Sequence, residues 1–302
     1  MINNKVMENQ AKESIKYNSI VLIPTDFSEA CNNAIHHGVE LAKSLNYCVY
    51  ILHVINKQTK SFLKKEKLSV EYVEEQLKKY KDTYEESQCV TIKTLAREGS
   101  IFTIINEVAT EIKANIMVLG THGKQGMQYL FGSYALRVVL DSPCPVVVVQ
   151  KRSFGEGYHK IVIPISNDLE TRQKVQWILL MAKLFHSKVH MFQANENDPD
   201  LDGRIKFITS QITKILDENK ILYEIIKAEK TGDFANQVIS YSIKTRTDLI
   251  MIMTIPHIDV PGFSVSTWDE TMMFNGAEIP VMCINPTELG NYYYEWLTLT
   301  IS

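Results

Sequence analysis

The stretch "IVIPIS" at 161–166 repeats "VLIPTD" at 21–26, and the correspondence continues down the chain. "KVHMFQA" (188–194) follows "CVYILHV" (48–54), and "IPVMCI" (279–284) follows "CPVVVV" (144–149). Between them, "EKTGDFANQVISYSIKTRTDLIMIMT" copies the pattern of "REGSIFTIINEVATEIKANIMVLGT", with 21 positions from the loop glycine to the strand end in both. Gly99 thus matches Gly232, and Gly120 matches Met253. A chain repeated in this way is built from two like units, so the fold of one unit sets the fold of the other.

Each unit alternates strand and helix. "SIVLIPTDFS" (19–28) is an apolar strand ending in Pro24, Thr25 and Asp26, with Ser28 placed as an N-cap. Ala30, Ala34, Gly38, Leu41, Ala42 and Leu45 then recur at helical spacing. "CVYILHVI" (48–55) is a second strand, and a further helix is expected from near Ser69, with Val70, Val73, Leu77, Tyr80 and Tyr84 on its apolar side. "CVTIKTLARE" and "NIMVLGT" read as strands around the helix "SIFTIINEVATEIKA", and "PCPVVVVQ" is the last strand after one more helix. Strands that are nearly all apolar, separated by helices, describe a parallel sheet covered on both faces, an α/β fold. The first unit ends near residue 151, "KRSFGEGYHK" (151–160) reads as a charged, glycine-bearing linker, and the second unit follows.

The 302 residues suit two domains, each long enough for its own core. A net charge of -3 argues against a nucleic-acid or anionic-membrane binder, since both need a concentrated positive field. The polar N-terminus has no secretory core, and no apolar run reaches the length of a membrane span. Cys31, Cys48, Cys89, Cys144 and Cys283 are widely spaced, with no CxxC pair, and read as thiols in a reducing cytoplasm.

In an open parallel sheet the ligand lies beyond the carboxyl ends of the strands. Asp26, Val54 and Gly120 fall there. Gly120 and Gly123 permit a tight turn with exposed N–H groups, and Gly132 and Ser133 are expected to open the next helix. Backbone amides beside a helix N-terminus form an anion site suited to phosphates. Asp26 is an acceptor for a ribose hydroxyl or an adenine amino group, so the combined picture is a nucleotide.

"PTDFS" with "GTHGKQGMQYLFGS" resembles the ATP-binding branch of the universal stress protein family, and the doubled chain resembles its tandem members. The resemblance implies two Rossmann-like domains of the adenine nucleotide α-hydrolase-like type, each a five-stranded parallel sheet between helices. It implies pairing by pseudo-two-fold symmetry through the last strands, "PVVVV" and "PVMCI". The bounds are 18–151 for a nucleotide-binding domain, 159–285 for a degenerate copy and 286–302 for an aromatic tail. In the family's signature nine residues separate the second glycine from Gly-Ser; here eight, 124–131, do so. By the resemblance Asp26 and Val54 contact adenosine, Pro24 and Thr25 shape that wall, and Gly120, His122, Gly123, Gly132, Ser133 and Tyr134 surround the phosphates. ATP, with magnesium as its companion, is the implied ligand, and the implied activity is sensing rather than turnover, slow hydrolysis being left open.

The second copy has Ser166 for Asp26, Met253 for Gly120, Ile255 for His122 and Pro256 for Gly123, and Trp268, Asp269 and Glu270 near the Gly132–Ser133 position. Proline removes a donor N–H and carboxylates repel phosphate, so this copy is expected not to bind ATP. Two rivals remain: a nucleotide-independent interaction protein, and an adenylating enzyme, for which SGGxDS, HIGH and KMSKS loops are lacking. Lys57, Lys60, Lys64, Lys65 and Lys67 read as a solvated, mobile loop. His36 and His37 carry no expected chemistry. The tail "ELGNYYYEWLTLTIS" reads as an edge strand covered by its own domain or by a second chain, making a homodimer or an unidentified protein partner an open expectation.

Overall fold

The structure, a computed structural model, describes residues 19–88, 90–121, 129–254 and 267–286. The first half runs β1 (Ile20–Pro24), α1 (Glu29–Leu45), β2 (Cys48–Ile55), α2 (Lys57–Glu66), α3 (Glu71–Gln88), β3 (Ile92–Glu98), α4 (Ile101–Glu111), β4 (Ile116–Gly120), α5 (Tyr129–Leu140) and β5 (Val146–Val149). The second runs β6 (Lys160–Ile165), a 3-10 turn (Leu169–Lys174), α6 (Val175–Phe185), β7 (Lys188–Gln193), α7 (Pro199–Glu218), β8 (Tyr223–Lys227), α8 (Phe234–Thr245), β9 (Leu249–Met253), α9 (Thr267–Met273) and β10 (Val281–Ile284).

All ten strands form one sheet in the order β3-β2-β1-β4-β5-β10-β9-β6-β7-β8. Pairing is parallel within each half and antiparallel where β5 meets β10, so the last strands join the halves as the family resemblance implied. Val147 faces Met282, its own counterpart, while Val148 faces Val281 and Val146 faces Cys283. The registers repeat as well: Val21 pairs with Ile116 as Ile161 pairs with Leu249. Gly99 and Gly232 each precede their helix by two residues, but β8 ends earlier, so the glycines coincide at the helix and not at the strand.

Alternating side chains of the strands feed two core layers, one on each face. Val147, Val149, Met282 and Ile284 lie in one, packed with α1, α3, α6 and α7; Val146, Val148, Val281 and Cys283 lie in the other, with α4, α5, α8 and α9. Side chains on β5 and β10 thus belong to a core shared by both halves. Amides finish the join: Gln150 Nε2 donates to Asn275 O at 3.0 Å, and Asn285 Nδ2 reaches the carbonyls of Val139, Leu140 and Ser142 at 2.8–3.0 Å, satisfying the end of α5.

Helix α1 begins as expected, with Ser28 accepting the Cys31 N–H. Gly38 is required where α1 crosses the sheet, because a Cβ there would overlap Ile23. In α3 Val73 and Leu77 are buried and Tyr80 and Tyr84 half-buried, whereas Val70 precedes the helix and is exposed. The lysine stretch 57–67 is not a loop: Asn56 caps it by accepting the N–H groups of Gln58 and Thr59, and it forms α2.

The segment 151–160 also departs from a solvated linker. Phe154 and Tyr158 are buried among His37 of α1 and Phe185 of α6, with Phe154 and Tyr158 each in edge-on contact with Phe185. Tyr158 hydroxyl and His37 Nε2 are hydrogen-bonded, while His37 Nδ1 finds no partner among the described residues. Burial lowers the His37 pKa to about 3, so the ring that meets the tyrosine is neutral. Its charged and aromatic letters read as linker because contacts across the repeat have no sequence period.

A buried amine marks the start of the second half. Lys174 is 2% exposed, and its Nζ donates to Pro164 O at 2.6 Å at the end of β6. Burial lowers its pKa to about 7 against the opposing pull of Asp168. The unfolded chain therefore holds a proton that the folded chain releases between about pH 7 and the ordinary lysine value of 10.5, so this group makes stability rise with pH across that window.

Two measurements check these packing arguments. Tyr158→Phe strips His37 of its buried partner and is expected to lower stability by about 1–3 kcal/mol in urea unfolding; an unchanged midpoint would remove this contact from the join. For Lys174→Met, the stability difference from wild type is expected to shift against the variant as pH rises from about 7 to 10, and a pH-independent difference in denaturation series would show that Lys174 stays charged.

Candidate functional site

Strand β1 lies between β2 and β4, and its carboxyl end is the switch point of the first half's order, where an open sheet forms its ligand crevice. Pro24 ends the strand and is buried. Thr25, also buried, donates its N–H to Leu52 O at 2.8 Å and accepts the Phe27 N–H on Oγ1 at 3.1 Å. These bonds fix a turn on which Asp26 stands exposed.

The Asp26 carboxylate is held from behind. Oδ1 accepts the Ser28 N–H at 2.9 Å, and the Cys31 thiol also hydrogen-bonds to it. Burial, reinforced by the charge of Asp26, pushes the Cys31 thiol up to about 12, so the sulfur stays protonated as a donor. An exposed carboxylate is an acceptor for donors from solvent or a ligand.

Beside it lies an aromatic stack that sequence reading missed. Phe27 takes a left-handed φ of 64°, rare for a bulky residue, and its ring stacks on His53 at 4.3 Å and faces Tyr80 at 6.2 Å. His53 Nδ1 donates to Thr25 O at 2.8 Å, leaving Nε2 to accept from Thr59 Oγ1 at 3.1 Å. Burial lowers the His53 pKa, against the opposing effects of Thr25 O and Asp26. The signal in the sequence was an aromatic directly after Asp26 and a histidine within an otherwise apolar strand.

Val54 sits near the end of β2 with its side chain in the core, so the backbone is what it offers a ligand. Gly120 ends β4, opposite Val149 of β5, and Thr121 closes that end by donating its N–H to Val149 O at 2.8 Å. Because β1 and β4 are neighbouring parallel strands, Asp26 and Gly120 both lie at the carboxyl ends of this pair. His122 and Gly123 lie outside the described residues. Gly132, Ser133 and Tyr134 do not open helix α5: it is already helical from Tyr129, because Tyr129, Leu130 and Phe131 continue it without a breaker. The free N–H groups of its first turn are those of Tyr129 to Gly132.

The equivalent end in the second half differs throughout. Ser166 follows β6 in place of Asp26, Met253 is buried in place of Gly120, and Lys174 places its amine on the strand-end carbonyl of Pro164. In α9, Trp268 stacks on Phe234 at 5.6 Å and Asp269 is fully buried, its carboxylate and burial together raising the Cys283 thiol well above its usual range. Ile255 and Pro256 lie outside the described residues. Cys31, Cys48, Cys144 and Cys283 are free and buried, as expected; Cys89 is outside the described residues. Among the described residues no helix is long and apolar enough to cross a membrane.

The universal stress protein family model matches residues 18–150. A universal stress protein of Methanocaldococcus jannaschii is 37% identical over 139 residues, which is 43% of this chain and 81% of the relative. Universal stress protein G of Salmonella typhimurium is 28% identical over 43% of this chain and 97% of its own length. Likeness over both halves is found in solved structures. A universal stress protein from Archaeoglobus fulgidus superposes with a TM-score of 0.69 at 14% identity, covering 89% of this chain and 98% of that one. A functionally unknown Pseudomonas aeruginosa protein does so at 0.60 and 12% identity, over 90% and 94%. The strand order, the residues at the β1 end and the relatives agree: the chain belongs to the universal stress protein family.

Proposed function

We propose that the first half binds an adenine nucleotide, ATP with its magnesium, at the carboxyl ends of β1, β2 and β4, and that the second half is a structural copy that does not. In this reading 18–151 and 159–285 are two domains and the chain is a nucleotide-dependent sensor. The observation that carries it is the contrast at one position: an exposed, braced Asp26 stands on the turn just after β1, while the same point in the second half has Ser166 beside a carbonyl occupied by Lys174.

The residues present suit such a ligand. Asp26 would accept from a ribose hydroxyl or the adenine amino group, with Phe27 and the backbone of Val54 as an apolar and polar wall beside it. Gly120, Gly123 and the first-turn N–H groups of α5, with Ser133, would meet the phosphates. Among the described residues no three His, Cys, Asp or Glu side chains converge on a metal position, so magnesium would be carried by the phosphates. Among the described residues the titratable groups beside Asp26 are engaged: both ring nitrogens of His53 are hydrogen-bonded and Cys31 is held as a thiol. That supports binding rather than turnover.

Calorimetric titration of ATP and magnesium into nucleotide-stripped protein is expected to give one site per chain. Asp26→Ala removes a charged acceptor, and affinity is expected to fall roughly ten- to a hundredfold, while Ser166→Ala leaves it unchanged. Two sites per chain, or unaltered binding by the Asp26 variant, would refute the assignment. Absence of binding would favour a nucleotide-independent interaction protein.

A further inference from the structure

Helix α2 is present in the first half alone. In the second, β7 leads to α7 across five residues, 194–198, whereas β2 and α3 are separated by the whole of α2 and its flanks. The insertion is anchored at its base. Asn56 caps it, Thr59 Oγ1 meets His53 Nε2 at 3.1 Å, Lys60 pairs with Glu98, and Leu63 is buried. Apart from Leu63 and half-buried Thr59, every residue from 57 to 70 is exposed. A helix held in this way, yet packing one leucine, projects from the molecule with its outer face uncovered.

That face is basic with an apolar margin. Opposite the inward pair Thr59 and Leu63 lie Lys57, Gln58, Ser61, Lys64 and Lys65, all within about 60° of the outermost direction at 3.6 residues per turn. Phe62 flanks them, its ring 6.1 Å from Tyr72, and Leu68 and Val70 continue past the helix end. Phe62, Leu68 and Val70 are exposed at 47%, 38% and 51%, and in the first half they are all the exposed large apolar side chains among the described residues.

Within 57–70 five lysines stand against one glutamate, in a chain whose total charge is -3. Among the described residues Lys60 alone of the five pairs with another element, and Lys65 only nears its neighbour Glu66 at 3.9 Å. The next carboxylates along the chain, Glu71, Glu74 and Glu75, begin α3, whose free N–H groups stabilise them. The whole-chain charge argued against an anionic surface, but the fold gathers positive charge onto one projecting helix, and a local field is what such a surface answers to.

Three features choose the occupant. A projecting helix seats on a fluid surface without needing a matching pocket. Its cations are all lysines, compact charges on long apolar stems, and arginine, suited to bidentate reading of phosphate, is absent from 57–70. The exposed Phe62, Leu68 and Val70 add an apolar margin that a nucleic-acid backbone would leave in water and the acyl boundary of a lipid layer would bury. We propose that α2 docks the protein on an anionic lipid surface, with Lys57, Lys64, Lys65 and Lys67 at the headgroups and Phe62 and Leu68 inserted between them. The proposal does not depend on nucleotide binding.

Co-sedimentation of the full chain with vesicles tests it. Phosphatidylcholine vesicles holding about 30% phosphatidylserine are expected to bind the protein, pure phosphatidylcholine vesicles are not, and added salt weakens the binding. Lys57→Glu with Lys64→Glu is expected to lower the partition coefficient about tenfold or more, and Phe62→Ser about threefold or more. Phe62→Trp is expected to add fluorescence quenching by brominated lipids beyond that of the wild type. All three side chains are exposed, so circular dichroism and the urea midpoint are expected to stay unchanged in these variants. No binding to phosphatidylserine vesicles would overturn the proposal. So would binding that the lysine reversal leaves intact, which would seat the lipid elsewhere on the molecule. Binding insensitive to Phe62→Ser, with no added quenching, would overturn the inserted geometry. Lysine-dependent capture of single-stranded RNA or of polyglutamate without vesicle binding would replace the lipid by that polyanion.

Discussion

The antiparallel pairing of β5 with β10 is the constraint on which the rest of the molecule depends. Each half is a parallel sheet with a fully apolar last strand, and a strand of four buried residues left at an edge would be an open template for other chains. Pairing the two copies removes both edges at once. Because Val147 faces its own counterpart Met282, side chains on the upper and lower faces of β5 continue into those of β10, and both core layers run through the join. Gln150 and Asn285, which follow the two strands at equivalent places, each bond to the helix end of the opposite half. The halves are therefore parts of one core, and the buried cluster of His37, Phe154, Tyr158 and Phe185 locks the crossing chain into it.

Much of this was legible in the sequence because it follows from patterns that repeat. Apolar runs of fixed spacing located the strands, Ser28 marked a helix start, and the family resemblance named "PVVVV" and "PVMCI" as the joining strands. What stayed hidden came from contacts between residues far apart. Tyr158 meets His37 across 121 positions, so a buried joint looked like a polar linker. Helix α2 was read as a loop since its lysines carry no apolar face; its local cap, Asn56, and the good helix propensity of Lys, Gln and Leu were enough to fold it with only Leu63 beneath.

The candidate site was legible in the same uneven way. Asp26 and Gly120 could be placed because both lie at the carboxyl ends of strands, which share one edge in a parallel sheet. The brace behind Asp26 could not, since the contact from Cys31 depends on how α1 turns back over the β1 end, and the stack of Phe27, His53 and Tyr80 joins three separate elements. Gly132 and Ser133 were assigned to a helix start by their residue types, but the helix is set by the run from Tyr129, which extends it one turn earlier.

Duplication explains how one chain can keep a demanding crevice and also tolerate its loss. A strand-end opening leaves carbonyls and N–H groups without partners, a cost that a bound ligand offsets or that side chains must meet. In the second half Lys174 meets it from within, bonding the Pro164 carbonyl, and Met253 fills what a glycine would leave open. In the first half Asp26 is exposed, with its Oδ1 accepting the Ser28 N–H. Since both halves share one core across β5 and β10, a change at the open end of β1 or β4 bears on the same sheet that the closed copy completes, and the closed copy gives that sheet a stable half against which the open one is set.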